Sequence, residues 1–343
     1  MTPVDPGDPD VDDVRHEELL APPATARPGQ AIFSLEGRAA PGLYLVGWLG
    51  VLLGVALAAV AILASGGSAS FASRVLLVFA LLVLGAGFAA AAGAQALDRR
   101  RKRRAGRYHG PSPFLVLAAD IPLALVALTL IVAPIANLGL DVTAPAGIAA
   151  SQVVLAVCYI GLVRLLVVGT GALSWRDMGA AIRGTRVGAD LAFGAVIAIP
   201  VWLVSILFGA VLARFLPLPE SVLPQARTAV DLGFNLVTAV LIAPIGEELF
   251  FRGFATTAWA RDLGPVRGLA RGAIVFAAAH ILDILAGADV NAPQLALFAF
   301  LVRLPVAFVL GYVFLTRRSL PASIGLHAAY NAIPLLLLGV IQG

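Results

Sequence analysis

The sequence predicts an all-α protein: a polytopic transmembrane bundle of about 8–9 helices behind a disordered N-terminal tail. Three observations predict it. Of 343 residues, 60% are hydrophobic and only 13% charged, with a mean hydropathy of +0.94, a composition that rules out a soluble protein. Uncharged runs at Leu43–Ala64, Val75–Leu97, Ile121–Leu140, Val142–Val163, Leu191–Ala213 and Ser319–Gly343 each reach roughly the 20 residues that cross a hydrocarbon core. The runs are continuous, not alternating. Because a backbone in lipid must satisfy its own hydrogen bonds, that pattern selects helices over a barrel.

Residues 1–40 hold eight acids and six prolines and no apolar run long enough to insert, which predicts a solvated cytoplasmic tail and not a signal peptide. Membrane segments are expected at roughly 43–64, 75–97, 114–134 and 147–170; they carry no chemical motif, so 41–170 reads as accessory helices. Further segments are expected at roughly 189–213, 232–250, 269–287, 292–316 and 320–341, forming a core over 171–343.

Charge placement sets the expected orientation. With the tail inside, the inner loops 98–113, 171–188, 251–268 and the Arg317–Arg318 turn, together with Arg271, hold 16 Lys and Arg, against three outside, Arg74, Arg214 and Arg227. The positive-inside rule then puts the N-terminus in the cytoplasm. The run Asp98-Arg-Arg-Arg-Lys-Arg-Arg suits stop-transfer anchoring and would also suit anionic lipid head groups. The net charge of +4, confined to a few loops, is no nucleic-acid signal; the partner it implies is the lipid bilayer. The single cysteine, Cys158, sits in an apolar run and reads as a small buried hydrophobe. The 23 arginines to one lysine suggest a bacterial genome rich in G and C, hence a bacterial inner membrane.

An ionisable group inside a membrane is costly and asks for a partner or a purpose. Asp120, Arg164, Asp283 and Arg303 are scattered; Asp283 could support His280, or pair with Arg303, for which Asp120 is the other candidate. Glu247, Glu248, Arg252, His280, His327 and Asn331 are clustered late in the chain with regular spacing. Adjacent helical residues lie about 100° apart, so Glu247 and Glu248 face different ways. Glu248 and Arg252 are four apart and can pair, and Pro244 removes a backbone donor one turn before them. Phe276–His280 and His327–Asn331 are each four apart and each share a helix face. Taken alone, the glutamates and Arg252 could be an ion pair ending a helix, and each histidine a packed core residue.

Together these groups are the parts for hydrolysis by activated water. A buried glutamate takes a proton from water, a histidine orients it or holds a metal, and a histidine and an asparagine one turn apart can donate to an oxyanion. The chain lacks a His-Glu-x-x-His helix and a Gly-x-Ser-x-Gly turn, which sets aside zincins and serine hydrolases.

The ordered motifs Glu247-Glu248-x-x-x-Arg252, Phe276-x-x-x-His280 and His327-x-x-x-Asn331 resemble the CPBP intramembrane proteases, which include type II CAAX prenyl endopeptidases and bacteriocin-processing or immunity proteins. The resemblance spans about residues 170–335 and extends to Ser174-Trp175-Arg176-Asp177 and Phe308-Val-Leu-Gly311. It implies Glu247 as general base assisted by His280, His327 and Asn331 as oxyanion donors, Glu248, Arg252 and Phe276 as supporting or substrate-binding groups, a membrane-associated peptide or protein substrate, and a cytoplasm-facing active site. The metal is open: Glu247, His280 and His327 would be the ligands and Zn2+ the first candidate. Two other classes stay open, a nonproteolytic scaffold or immunity protein retaining the motifs, and a transporter using the same carboxylates.

Overall fold

A computed structural model describes residues 34–66, 70–102, 107–139, 141–180, 185–218, 226–286 and 290–342. Nearly all of the expected acidic tail lies outside the described residues. Residues Arg38–Gly343 form one compact unit. It is built from α1 (Pro41–Ser65), α2 (Phe71–Arg101), α3 (Pro113–Asn137), α4 (Pro145–Val168), α5 (Thr185–Leu212), α6 (Ala229–Leu263), α7 (Pro265–Ala279), α8 (Leu282–Ala286), α9 (Ala292–Arg317) and α10 (Leu320–Gln342). No strand occurs among the described residues. Eight of these helices are long and apolar enough to cross a membrane, which bears out the all-helical polytopic bundle.

Their starts follow from local chemistry. Pro41, Pro113, Pro145 and Pro265 open α1, α3, α4 and α7, where a missing N–H costs nothing. Ser70 caps α2 by accepting from the Ser73 amide at 3.1 Å. Thr228 and Asp231 cap α6 reciprocally, the Thr228 hydroxyl accepting from the Asp231 amide at 3.1 Å and the Asp231 carboxylate from the Thr228 amide at 3.0 Å.

Small residues let the helices approach. A Cβ on Gly47 would sit 2.6 Å from the Ala91 nitrogen, and one on Gly87 2.6 Å from that of Val51, so α1 and α2 touch backbone to backbone. Between α5 and α10 a Cβ on Gly194 would meet the Ala322 oxygen at 2.1 Å, and one on Gly325 the Leu191 oxygen at 2.2 Å. The core between α6, α4 and α7 is aromatic: Phe250, Phe251, Phe254 and Phe276 are all buried, and Tyr159 of α4 lies 4.9 Å from the Phe250 ring.

Two segments depart from expectation. The sixth does not end at 250; α6 runs on to Leu263, because Phe254, Ala255, Ala258 and Trp259 are buried against the core and keep the segment apolar past Arg252. Arg252 is therefore inside a helix and not the opening of a basic loop. The expected span 269–287 is shorter, since α7 stops at Ala279 with His280 as its C-cap and a separate short helix follows. Cys158 is half-buried and not fully enclosed, His109 is half-buried, and Arg164 is exposed.

The loops expected inside gather at one end of the bundle. Asp262, at the end of α6, accepts from the Tyr108 amide at 3.3 Å and pairs with Arg99 and Arg107 at 3.9 Å each. Arg261 pairs with Asp177 at 2.6 Å, and the Leu320 amide donates to the Gly179 carbonyl at 3.0 Å. The Ser174–Asp177 motif is thus a strap. Its hydroxyl and carboxylate cap each other, with Ser174 Oγ donating to Asp177 at 2.6 Å, and the turn holds α6 and α10 together at that end.

Candidate active site

The catalytic candidates come from three helices. In α6, Pro244 cannot supply the backbone bond its position requires, and the turn before it, Val237–Ile242, is widened into a π-helix. A second widened stretch, Leu249–Thr256, follows the glutamates. There Thr256 and Thr257 donate their hydroxyls to carbonyls five residues back, Phe251 and Arg252, at 2.8 and 3.3 Å. The glutamates therefore occupy the middle of α6, on a short regular segment between two irregular ones.

Hairpin geometry brings His280 to the same level. The chain reverses at Gly264, whose φ of +84° favours glycine. Glu247 lies 17 residues before that turn and His280 16 after it. Close packing keeps the register: Gly268 and Gly272 abut α6, where added Cβ atoms would meet Ala260 at 2.6 Å and the Thr256 hydroxyl at 2.3 Å.

The two glutamates have separate environments, as their spacing requires. Glu248 is 0% and Arg252 1% exposed, paired at 2.9 Å. Glu248 also accepts from His327 Nδ1 at 2.8 Å and from the Ser323 hydroxyl. Arg252 lies over the Phe276 ring, 3.9 Å from its centroid, and reaches the Ala307 carbonyl at 3.5 Å. This side of the site is closed.

Glu247 faces the other way. It is 17% exposed, and its Oε2 lies 3.5 Å from His280 Nε2 and 3.9 Å from His327 Nε2. Oε2 is buried and without a hydrogen-bond partner. His280, 25% exposed, is oriented from behind through Nδ1, 2.8 Å from the Phe276 carbonyl. Phe276 packs on both imidazoles, with centroids 4.4 Å from His280 and 5.8 Å from His327. A carbonyl and an arginine-paired carboxylate only accept, so both Nδ1 atoms carry their hydrogens. In the neutral rings each Nε2 then presents a lone pair. Glu247 Oε2 and His280 Nε2 thus offer two neighbouring acceptors, which suits a molecule that donates protons in two directions, as water does; His327 Nε2 lies 3.9 Å from the same carboxylate oxygen.

Six of the seven expected residues meet in this one network: Glu247, Glu248, Arg252, Phe276, His280 and His327. Asn331 attaches elsewhere, donating Nδ2 to the Ala239 carbonyl of α6 at 2.9 Å and keeping a second N–H. Ser323 was not singled out from sequence. Its signal was there, because Ser323, His327 and Asn331 are spaced by four and line one face of α10. The Asp283 side chain lies outside the described residues, and Asp120 makes no pair with Arg303, its Oδ1 being buried without a partner.

Among the described residues, no three His, Cys, Asp or Glu side chains gather as a metal-holding group. A zinc here would be held by Glu247, His280 and His327, with the facing imidazole nitrogens 3.5 and 3.9 Å from the Glu247 oxygen.

Residues 229–333 match the family model described as Type II CAAX prenyl endopeptidase Rce1-like. The matched stretch runs from the start of α6 into α10, contains all seven candidate residues, and bears out the resemblance carried by the three motifs: over it the chain is similar to the type II CAAX prenyl endopeptidases. No curated protein and no solved structure matches the chain.

Proposed function

We propose that this protein is an intramembrane endopeptidase that hydrolyses membrane-associated peptides by water activation at Glu247. The observation that carries the reading is the division between adjacent glutamates. Glu248 is sealed and fully engaged by Arg252, His327 and Ser323, while Glu247 is partly exposed, with a buried Oε2 that is unengaged and faced by two imidazoles.

A water beside Glu247 is oriented by the lone pairs of Glu247 and His280. Glu247 takes one of its protons as the oxygen attacks the peptide carbonyl, and passes that proton to the leaving nitrogen as the tetrahedral intermediate collapses. The oxyanion is stabilised by the free N–H of Asn331 and by His327, which donates from Nε2 when that atom is protonated. Glu248 does not exchange protons with substrate; pinning Nδ1 of His327, it sets which nitrogen faces the site, the role an orienting carboxylate plays beside a catalytic imidazole. Helices α1–α4, within residues 41–170, stand as accessory elements. The charge bias supports a cytoplasmic N-terminus and a site opening on that side, and the arginine-rich composition supports a bacterial inner membrane.

The test is cleavage of hydrophobic, membrane-tethered peptides by the protein in proteoliposomes. Cleavage is expected, with loss on Glu247→Gln and on His280→Ala; cleavage unchanged in both variants overturns the reading.

A further inference from the structure

Arg303 is a charge in the catalytic half of the bundle that the mechanism above leaves unused. It lies mid-way along α9, half-buried, and donates Nη1 to the Ala299 carbonyl of its own helix at 2.9 Å. That spends one of the five N–H bonds of a guanidinium. Among the described side chains no carboxylate lies within ion-pair distance of it; the ion pairs there involve other arginines and the two site histidines. A guanidinium held at this depth in a membrane bundle calls for an anion.

Its position says where that anion comes from. Ala299, Arg303 and Ala307 are spaced by four on one face of α9, and both alanines are fully buried. The Ala307 carbonyl receives Arg252, so Arg303 shares a helix face with the residue that contacts the site's ion pair, one turn (about 6 Å of helix) away. The ionisable groups in its electrostatic surroundings are the Tyr330 phenol, between His327 and Asn331 on α10, and the Glu247 carboxylate. Glu247 faces the two imidazoles at 3.5 and 3.9 Å and makes no ion pair with Arg303, and its neighbour Glu248 is paired with Arg252.

We propose that Arg303 is a substrate-binding residue that takes a carboxylate of the peptide, through the paired N–H geometry in which a guanidinium matches a carboxylate. The carboxylate is either the peptide's C-terminus or an acidic side chain beside the scissile bond. The inference rests on the proteolytic reading of the site, and its test is made independent of turnover.

Binding is measured on the full chain in nanodiscs, in the Glu247→Gln background, with a fluorescent hydrophobic decapeptide in three forms: free C-terminal carboxylate, C-terminal amide, and amide with one internal glutamate. One carboxylate-bearing form is expected to bind about tenfold more tightly than the plain amide, and which one identifies the source. Arg303→Gln is expected to abolish the preference, with Arg303→Lys retaining part of it and showing that the bundle still folds. Equal binding of all three forms, binding of none, or a preference that survives Arg303→Gln overturns the proposal. With Glu247 restored, Arg303→Gln is expected to raise KM about tenfold for the preferred peptide and to change kcat less than about twofold. If no peptide is cleaved, the proteolytic reading fails while the binding preference still decides the role of Arg303.

Discussion

His327 and Glu248 stand 79 residues apart in sequence and are joined by a 2.8 Å contact between Nδ1 and Oε1. That contact makes α10 a reader of the state of α6. The imidazole whose far nitrogen faces Glu247 is held by the glutamate next to Glu247 in the chain, and this adjacency separates the effects of two nearly identical substitutions.

Glu247→Gln is expected to lower the cleavage rate by about 100- to 10,000-fold, the range for losing a general base, with the unfolding temperature close to that of the wild type. Glu248→Gln leaves Arg252, 1% exposed, without its counter-charge, and breaking a buried pair costs about 3–5 kcal/mol. It should lose both activity and thermal stability. Parallel melting and cleavage measurements check the split; equal melting of the two variants would show the division of roles to be wrong.

Ser323→Ala removes a hydroxyl that donates to a fully buried carboxylate. Loss of a hydrogen bond to a charged group costs roughly 1.5–3 kcal/mol, and activity should fall by less than in Glu247→Gln, since His327 keeps its contact with Oε1. Ser323→Thr, which preserves the donor, is expected to recover most of the activity if the added methyl is accommodated.

The α5–α10 contact sets the position of His327 and Asn331. With Cβ positions only 2.1 Å from the Ala322 oxygen and 2.2 Å from the Leu191 oxygen, Gly194→Ala and Gly325→Ala must each push backbone away from backbone. Overpacking of this kind costs about 1–3 kcal/mol. Because the displaced helix carries two of the proposed catalytic groups, cleavage should suffer more than melting suggests. Gly188→Ala, where an added Cβ meets nothing within 4 Å, is the control expected to leave both unchanged.

The strap at the loop end responds to acid. Burial alone would raise the Asp177 carboxyl, but hydrogen bonds from the Ser174 hydroxyl and amide and the Arg261 guanidinium bring it down to about 2 from an ordinary 3.8. A folded value below the unfolded one contributes stability above about pH 4 that is lost as the pH falls towards 2. The wild type is expected to lose more melting temperature than Asp177→Asn over that interval, with the two curves parallel above it; parallel curves throughout would show that Asp177 does not tie the end of α6 to the turn.

Much of this site is legible in local spacing. The pairing of Glu248 with Arg252, the shared face of Phe276 and His280, and the divergence of Glu247 from Glu248 follow from 3.6 residues per turn and need no partner helix. The levelling of Glu247 with His280 is also local, given a reversal at Gly264. Other features are invisible at that range. The continuation of α6 past Arg252 depends on Phe254, Ala258 and Trp259 finding a core to enter, and the stop at His280 is not announced by the apolar run 269–287.

By itself, then, the sequence determined a membrane-spanning helical protein, because hydropathy over some 20 residues is a property of the segment alone, and it determined which side chains share a helix face, because that is periodicity. Only the tertiary structure decided which glutamate is sealed and which is open. It alone brought Ser323 and His327 to Glu248 across 75 and 79 residues, and left Arg303 beside the site with no described carboxylate to hold. The physical reason is that contacts between helices depend on where glycines let backbones touch and where chains reverse, and these choices are made by the packed bundle as a whole.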